Sequence, residues 1–465
     1  MRQTQSFEGW IDPGSQPAGS YLYVPFHVPE GATNLTVSYH YEGAGDTFEG
    51  TGGNVIDAGL FDQRGTDLIS GGFRGYSGSS RQSFYLARDV ATPGYLAGPL
   101  QAGDWNLMLG VAELLPAGAR WWATVEVDSD PGSAEPAQAA GTSPAFQRRR
   151  SGRGRWVPGD LHSHTEHSDG YNSVAELAAY SQEVGLQYLA VTDHNTISHQ
   201  ADVARCDSES LLVFPGEEVT TYYGHANVWG LRDWIDFRCR ADQDLRQIVD
   251  FVHGRGKLFS VNHPKKDGPD WRFEETVFDC VEVWQAPWRW RNDQSLALWS
   301  SMLREGRRVV GVGGSDIHAV PPAKLVSPHG PGNPCTWVWV DGELSEATVL
   351  DAVRAGHIVI SESAMGPFLS IAVNRTMPGD EARVASGPLT VLLGGRGLEG
   401  RTLRLLFNED EVWRKLYDIE ETLEEVEVIV EHDGPLRAEL WGLRGREERG
   451  EVMWAMTNPI WLKVA

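Results

Sequence analysis

The chain carries histidine and aspartate residues directly after short apolar runs, at several well-separated places. The densest example is the segment Gly159-Asp160-Leu161-His162-Ser163-His164-Thr165. Because side chains alternate along an extended strand, His162 and His164 point to the same face and can bind one metal ion together. The theme returns in Thr192-Asp193-His194, Val261-Asn262-His263-Pro264 and Gly314-Ser315-Asp316-Ile317-His318. We therefore expect a fold that brings distant strand ends into one metal site.

The middle of the chain, residues 156–365, alternates short apolar runs with segments of helical periodicity. Leu189-Ala190-Val191, for example, follows a predicted helix from Val174 to Glu183. Such alternation predicts an α/β fold with a parallel sheet, and the number of units predicts a closed or distorted barrel. The C-terminal ends of barrel strands share one mouth, which would gather the histidine and aspartate residues there. Two further strand ends add Glu217 or Glu218, and His225.

Both flanks of the chain show the period-two alternation of strands, and 465 residues are too many for one core. In residues 1–128, Leu35, Val37 and Tyr39 alternate with polar residues, which predicts a β-sandwich-like domain. Residues 129–155 are rich in Ser, Pro, Ala and Gly and end in arginines, so they are predicted to be a linker. Residues 366–465 are predicted to form a second β-sandwich-like domain.

The charge of the chain limits its partners. A formal net charge of −24 disfavours binding to long nucleic acids, which depends on neutralising phosphates. No apolar run reaches the length of a membrane span, and the first residues lack the apolar core of a signal peptide, so a cytoplasmic location is expected. We expect a small anionic or ester substrate, and the oligomeric state stays open.

The ligand-like segments resemble the motifs of the PHP (polymerase and histidinol phosphatase) superfamily of metallohydrolases. The similarity covers residues 156–320, and Gly224-His225-Ala226-Asn227-Val228-Trp229-Gly230 with the β-rich flanks resembles the carbaryl-hydrolase-like branch, CehA/McbA. The resemblance implies a distorted (β/α)7 barrel, flanked here by the two β-sandwich-like domains. It also implies two or three bound divalent metal ions, and imidazole with carboxylate ligands suits Zn, Mn or Fe.

Carried over motif by motif, the resemblance implies nine metal ligands. It selects Glu218 rather than Glu217 as the bridging carboxylate. The implied ligands are His162, His164, Asp169, His194, Glu218, His225, His263, Asp316 and His318. One ion would be held by His162, His164, Glu218 and Asp316, a second by Asp169, His194 and His318, and a third by Glu218, His225 and His263.

These ligands predict a metal-dependent hydrolase. Bridged dications bring the pKa of a shared water towards neutrality, so a metal-bridging hydroxide is the expected nucleophile. Glu218, Asp316 and His318 are the candidate catalytic residues, with His318 also a candidate general acid. A phosphoesterase acting on small phosphomonoesters or phosphodiesters is favoured, because clustered dications suit a charged substrate.

Two other functions stay open at this point. The branch resemblance implies hydrolysis of a carbamate or carboxylic ester. A catalytically silent binding module is the remaining alternative, but such a module is expected to lose ligands, and this chain keeps all nine.

Residues outside the ligand set are predicted to contact the substrate. Trp288, Arg289 and Arg291 follow an apparent strand and, with Trp290, would overhang the mouth of the barrel. Arginine suits bidentate contacts with phosphate, and tryptophan suits an aromatic leaving group. A packed loop with surface arginines is the alternative.

The sequence also predicts the environment of three residues next to the candidate ligands. Lys265 and Lys266 follow His263 and could bind an anion, but they are expected to be solvent-exposed. Asp193 precedes His194 and is expected to orient an imidazole without binding metal itself.

Overall fold

The computed structural model describes residues 1–44, 52–130, 154–266, 270–274, 277–320, 329–444 and 450–465. The predicted linker over 129–155 lies outside these described residues except at its two ends, and so does the arginine run at 148–150. No helix in the described ranges is long and apolar enough to span a membrane.

The N-terminal part consists of two antiparallel sheets that share one core. Its strands are β1 (Arg2–Ile11), β2 (Ser20–Val28), β3 (Ala32–Tyr41), β4 (Val55–Phe61), β5 (Phe73–Gly78), β6 (Ser83–Ala87), β7 (Gly103–Glu113) and β8 (Ala119–Ser129). The sheet orders are β1-β8-β3-β6 and β2-β7-β4-β5. Period-two alternation places Leu35, Val37 and Tyr39 in the shared core, together with Trp105 from the other sheet.

The middle part combines one mixed sheet with helices. Its elements are β9 (Arg155–Asp160), α1 (Val174–Glu183), β10 (Tyr188–Val191), α2 (Gln200–Cys206), β11 (Leu212–Thr221), β12 (Gly224–Trp229), α3 (Asp242–His253), β13 (Phe259–Val261), β14 (Cys280–Gln285), α4 (Asn292–Arg304), β15 (Val310–Gly314), β16 (Cys335–Val340), α5 (Glu346–Ala355) and β17 (Ile358–Ser361). The strand order is β15-β14-β13-β12-β11-β10-β9-β16-β17.

Local sequence signals explain where the helices begin. Helix α1 begins after Ser173, whose side chain caps the Glu176 N–H, while the Glu176 carboxylate accepts from the Ser173 N–H. Helix α5 begins after Ser345 in the same way and ends at Gly356, which adopts a left-handed conformation. These caps hold the helices beside the strands whose ends build the site.

The mixed sheet curls so that β15, at one end of it, returns to the side of β9 where the ligands lie. There the segment after β15 pairs with the segment after β9: the His164 N–H donates to Ile317 O and the Asp316 N–H donates to His162 O, both at 2.9 Å. The strand–helix alternation of the expected distorted (β/α)7 barrel holds only in part. A tight turn without a helix joins β11 to β12, which makes β12 antiparallel to both of its neighbours.

The C-terminal part adds nine strands on two sheets. They are β18 (Phe368–Ala372), β19 (Glu381–Val384), β20 (Gly387–Arg396), β21 (Arg401–Phe407), β22 (Asp410–Leu416), β23 (Glu421–Val430), β24 (Gly434–Leu443), β25 (Glu451–Thr457) and β26 (Ile460–Val464). Strands β18-β20-β23 form one sheet. The other sheet continues the middle one, because β25 pairs with β17 from Val359 to Ser361. The hydrogen-bonded sheet therefore runs across the predicted boundary at residue 365.

Candidate metal centre

The nine predicted ligands come together at the strand-end side of the curled sheet. Eight of them lie on a strand or close after one, where the backbone hydrogen bonds of the sheet fix their positions, and Asp169 lies in a loop. Their nitrogen and oxygen atoms form overlapping groups in which all candidate ligand atoms lie within 4.8 Å of one another. The groups are His162, His164, Glu218 and Asp316; His164, Asp169, His194 and His318; His194, Glu218 and His225; and His162, His263 and Glu282.

The first group is buried except at Asp316, which is partly exposed. His162 Nε2 and His164 Nε2 face each other at 3.1 Å. Asp316 Oδ1 lies 2.8 Å from His164 Nε2, and Glu218 Oε2 lies 3.4 Å from both imidazoles. Four donor atoms of these four residues thus converge on one point, as the resemblance implied for the first ion.

The second group surrounds Asp169. Its Oδ1 atom lies 3.3 Å from His318 Nε2 and 3.5 Å from His194 Nε2. The structure adds His164 to this predicted set. Because His164 belongs to both groups, the two candidate sites are adjacent.

The third group shares Glu218 with the first. Glu218 Oε1 lies 3.2 Å from His225 Nδ1 and 3.3 Å from His263 Nε2, and its Oε2 lies 2.8 Å from His194 Nδ1. The predicted third set is therefore present around this carboxylate, with His194 next to it. Glu218 lies at the centre of the whole cluster.

Several of these atoms are buried and have no hydrogen-bond partner in the described residues. They include Asp169 Oδ1, Glu218 Oε2, His225 Nδ1 and Asp316 Oδ1. Some lie close to imidazole nitrogens, but without hydrogen-bond geometry. Buried polar atoms are rarely left unpaired in proteins, and divalent cations would satisfy all of these at once. The residues therefore fit a metal centre, and their oxygen and nitrogen donors fit Zn, Mn or Fe.

The electrostatics of the cluster also favour added positive charge. Burial lowers the pKa of His194, but the carboxylates of Glu218 and Asp169 outweigh it and raise the value to about 9. Burial likewise lowers the pKa of His318, and its hydrogen bond to Asp169 raises it to about 10. His164 is different: burial and the neighbouring imidazoles lower its pKa to about 4. Without a cation the carboxylates keep protons on their imidazole neighbours, and metal binding would displace those protons.

Two of the predicted ligands have unusual backbone conformations. His263 has φ of 29° and Asp316 has φ of 51°, values that non-glycine residues rarely adopt. Each such conformation costs on the order of 1–3 kcal/mol and persists only where the surroundings enforce it. Here the strained backbone directs both side chains into the cluster.

Sequence reasoning missed the residues that hold the ligands in place. Glu282 Oε1 lies 2.9 Å from His162 Nδ1, and its Oε2 accepts the His263 N–H at 3.0 Å. The Asn262 side chain donates to Glu218 Oε1 at 2.8 Å. Such partners fix the orientation of metal ligands. A carboxylate within the apolar run of β14 was the available signal for Glu282.

Asp160 connects the segment that carries His162 to the segment that carries Asp316. Its buried carboxylate accepts the N–H groups of His162 at 3.1 Å and Ser315 at 3.0 Å on Oδ1, and of Gly332 at 2.7 Å on Oδ2. The segments after β9 and β15 are therefore held by one side chain. Its position at the end of β9, two residues before His162, was the sequence signal.

Asp193 has a different role from the predicted one. Both of its oxygens accept hydrogen bonds from Thr165, and its Oδ1 also accepts from the Ser168 hydroxyl, all at 2.7 Å. The imidazole beside it is that of His199, with Nδ1 at 3.2 Å, rather than a predicted ligand. Asp193 therefore fixes the loop that carries Asp169.

A cavity of about 430 Å³ opens beside the cluster and carries positive charge. Lys265, Lys266, Trp290 and Arg291 line it with five of the predicted ligands. Contrary to our prediction, Lys265 is partly buried: its Nζ donates to Gln285 Oε1 at 2.6 Å and to Asn292 Oδ1 at 3.1 Å. Lys266 is exposed, as expected.

Of the residues predicted to overhang the mouth, the structure places Trp290 and Arg291 at this cavity. Trp288 is buried and packs edge-on against Trp284 and Trp441, at 5.1 and 5.4 Å between ring centroids. Arg289 is exposed and does not line the cavity. The prediction for Trp288 is therefore wrong, and Trp290 supplies the aromatic ring at the rim.

Comparison with known proteins gives only distant similarity. No family model matches the chain, and no curated protein is similar to it. A two-domain protein of Bacteroides vulgatus containing a predicted PHP-like metal-dependent phosphoesterase is similar at 15% identity and a TM-score of 0.37, over 68% of this chain and all of that one. A predicted metal-dependent phosphoesterase of Bifidobacterium adolescentis is similar at 16% identity and 0.28, over 42% of this chain and 94% of its own. We therefore infer the function from the side chains of the site.

Proposed function

We propose that this protein is a metal-dependent hydrolase of the PHP type, and that it hydrolyses small phosphomonoesters or phosphodiesters. The observation that carries the proposal is the position of Glu218. This fully buried carboxylate lies within 3.4 Å of nitrogen atoms on five histidines, His162, His164, His194, His225 and His263. A carboxylate so placed can bridge neighbouring cations.

The chain's own residues would hold two or three divalent ions in the three overlapping groups. When bound, such ions lower the pKa of a shared water and stabilise negative oxygens on the substrate. Glu282 fixes the ring of His162, and Asn262 fixes Glu218, so the ligand atoms are preorganised. His318 lies at the wall of the cavity, and its side chain and that of Asp169 are both partly exposed.

The cationic cavity supports a phosphate ester over a neutral ester. Lys265 Nζ is held by Gln285, whose Nε2 donates in turn to Asp316 Oδ2 at 2.8 Å. Gln285 thus holds the Lys265 ammonium group in place and connects it to Asp316 in the cluster. Arg291 at the same wall offers a guanidinium group suited to phosphate oxygens.

Carbamate or carboxylic ester hydrolysis is the second candidate. The observation in its favour is Trp290, whose ring is 46% exposed at the rim of the cavity. An exposed indole can stack on the aromatic leaving group of an aryl carbamate.

A direct comparison of substrates separates the two candidates. The purified protein, loaded with Mn or Zn, would be assayed on 4-nitrophenyl phosphate and on an aryl N-methylcarbamate with the same leaving group. We expect hydrolysis of the phosphate, with Lys265→Met raising its KM and leaving metal content unchanged. Hydrolysis of the carbamate alone would overturn the phosphoesterase proposal in favour of the second candidate.

A further inference from the structure

A second cavity, of about 570 Å³, lies on the other side of the cluster, between the N-terminal sheets and the metal centre. His194 and His225 line both cavities, and Asp169 lines the second one. The remaining walls come largely from β3, β4 and β5 and the residues that follow β5. The N-terminal part is therefore a wall of the candidate active site.

The two cavities differ in chemistry. Half of the residues lining the second one carry a side-chain hydroxyl, among them Tyr76, Ser79 and Tyr222. Neither lysine nor arginine is among its described lining residues, while Asp57 contributes a carboxylate. An anionic group would thus prefer the first cavity, and a neutral group with hydroxyls would find partners in the second.

A buried carboxylate organises the hydroxyls. Asp57 Oδ2 accepts from the hydroxyls of Tyr76 at 2.8 Å and Tyr222 at 2.7 Å. Both hydroxyls share this one oxygen of the carboxylate, and Asp57 is only 5% exposed. A buried acceptor of this kind, at the wall of a cavity, is suited to a ligand hydroxyl.

Tyr222 reaches this cavity because a glycine, Gly110, leaves room for its hydroxyl. Tyr222 follows β11 in the middle part, and its hydroxyl enters the N-terminal part beside Gly110. A Cβ atom on Gly110 would lie 2.3 Å from that hydroxyl, so any larger residue would displace it. On the metal side, Thr220 Oγ1 lies 2.5 Å from His194 Nδ1, so the cavity wall continues into the ligand set.

We propose that the N-terminal part supplies the subsite for the alcohol half of the substrate, and that this alcohol is neutral and carries several hydroxyl groups. The proposal rests on the phosphoesterase function proposed above: the phosphate would lie at the metal centre and the cationic cavity, and the polyol in the second cavity. An aryl group in the same place would make no hydrogen bonds with the polar wall, whereas a polyol could donate to its hydroxyl and carboxylate oxygens.

Two substrates with the same skeleton test this. Glycerol 2-phosphate differs from isopropyl phosphate only by two hydroxyl groups. We expect kcat/KM to be at least about tenfold higher for glycerol 2-phosphate, because each lost hydrogen bond is equivalent to about fivefold. Tyr222→Phe and Ser79→Ala should lower kcat/KM for glycerol 2-phosphate about fivefold and leave isopropyl phosphate unchanged. Tyr85→Phe, on the N-terminal strand β6 outside the cavity, is the matched control and should change neither.

Equal kcat/KM for the two esters, or equal losses on both in the variants, would overturn the polyol subsite. If neither ester is hydrolysed by the metal-loaded protein, the phosphoesterase proposal fails, and a separate measurement decides the subsite. Saturation-transfer NMR with methyl α-glucoside, a neutral polyol without phosphate, should show contact with the wild-type protein that Tyr222→Phe and Ser79→Ala reduce. Absence of contact, or contact unchanged in both variants, would overturn the subsite independently of catalysis.

Discussion

Adjacent glutamates in β11 offer a matched test of the metal centre. Glu217 and Glu218 are both buried, at 2% and 0% exposure, but alternation along the strand directs them to opposite faces. Glu218 faces the cluster of imidazoles. Glu217 accepts the Ile235 N–H on Oε2 at 3.0 Å, and burial raises its pKa well above the usual range, which favours the neutral acid. Replacing each by glutamine keeps the size and changes only the chemistry.

The two substitutions are expected to have very different effects on metal binding. Glu218→Gln removes a charge that two of the candidate ion groups share. Breaking buried charge contacts of this kind costs about 3–5 kcal/mol, which corresponds to a loss in metal affinity of roughly a hundredfold to several thousandfold. Glu217→Gln keeps the acceptor for Ile235 and loses no charge, so its free energy of unfolding should change by less than about 1 kcal/mol.

The assay is metal content and metal affinity of the two purified variants, with circular dichroism to show that both are folded. We expect Glu218→Gln to lose bound metal and nearly all hydrolysis while its strand signal persists. Glu217→Gln should resemble the wild type. Equal metal loss in both variants, or metal retained by Glu218→Gln, would refute the assignment of Glu218 as the central ligand.

Three further predictions follow from the same geometry. Glu282→Ala should lower metal affinity roughly 10- to 100-fold by releasing the ring of His162, measured by competition with a chelating dye; unchanged affinity would remove Glu282 from the centre. Gly314→Ala should destabilise the fold by about 1–3 kcal/mol in thermal unfolding, because a Cβ there would lie 2.4 Å from His162 Cβ; an unchanged melting temperature would contradict this. Lys265→Met should raise KM for phosphate esters about tenfold with kcat little changed, and an equal effect on a neutral ester would argue against a role in binding phosphate.

The sequence alone predicted a structural feature correctly where a single local signal determines that feature. The helix Val174–Glu183 has the predicted bounds, because Ser173 and Glu176 form a complete capping box. Strand ends pointed to His162, His164, His194, His263, Asp316, His318, His225 and one of Glu217 and Glu218, because such ends meet at one side of a barrel. Asp169 lies in a loop, and it and the choice of Glu218 came only from the resemblance.

The loop after β14 shows where local signals fail. Trp288 was predicted to lie at the cavity, but Trp290 does so. The chain turns at Ala286 with φ of 54° and at Arg291 with φ of 57°, and neither residue type signals a left-handed conformation. The direction of every side chain between them depends on those two turns.

Contacts between distant parts of the chain also could not be predicted from the sequence patterns. The Asp57 to Tyr222 hydrogen bond joins residues 165 positions apart, and neither residue belongs to a motif. The pairing of β17 with β25 likewise joins the middle and C-terminal sheets over a long separation. Periodicity identifies strands but does not identify their partners when these are distant.

Anomalous scattering from a crystal grown with Mn tests the central claim most directly. We predict anomalous peaks within coordination distance of His162, His164, Glu218 and Asp316, with a second peak beside Asp169 and His318. A crystal containing Mn in its solution, with no peak there and with these imidazoles and carboxylates joined only by hydrogen bonds, would contradict the account.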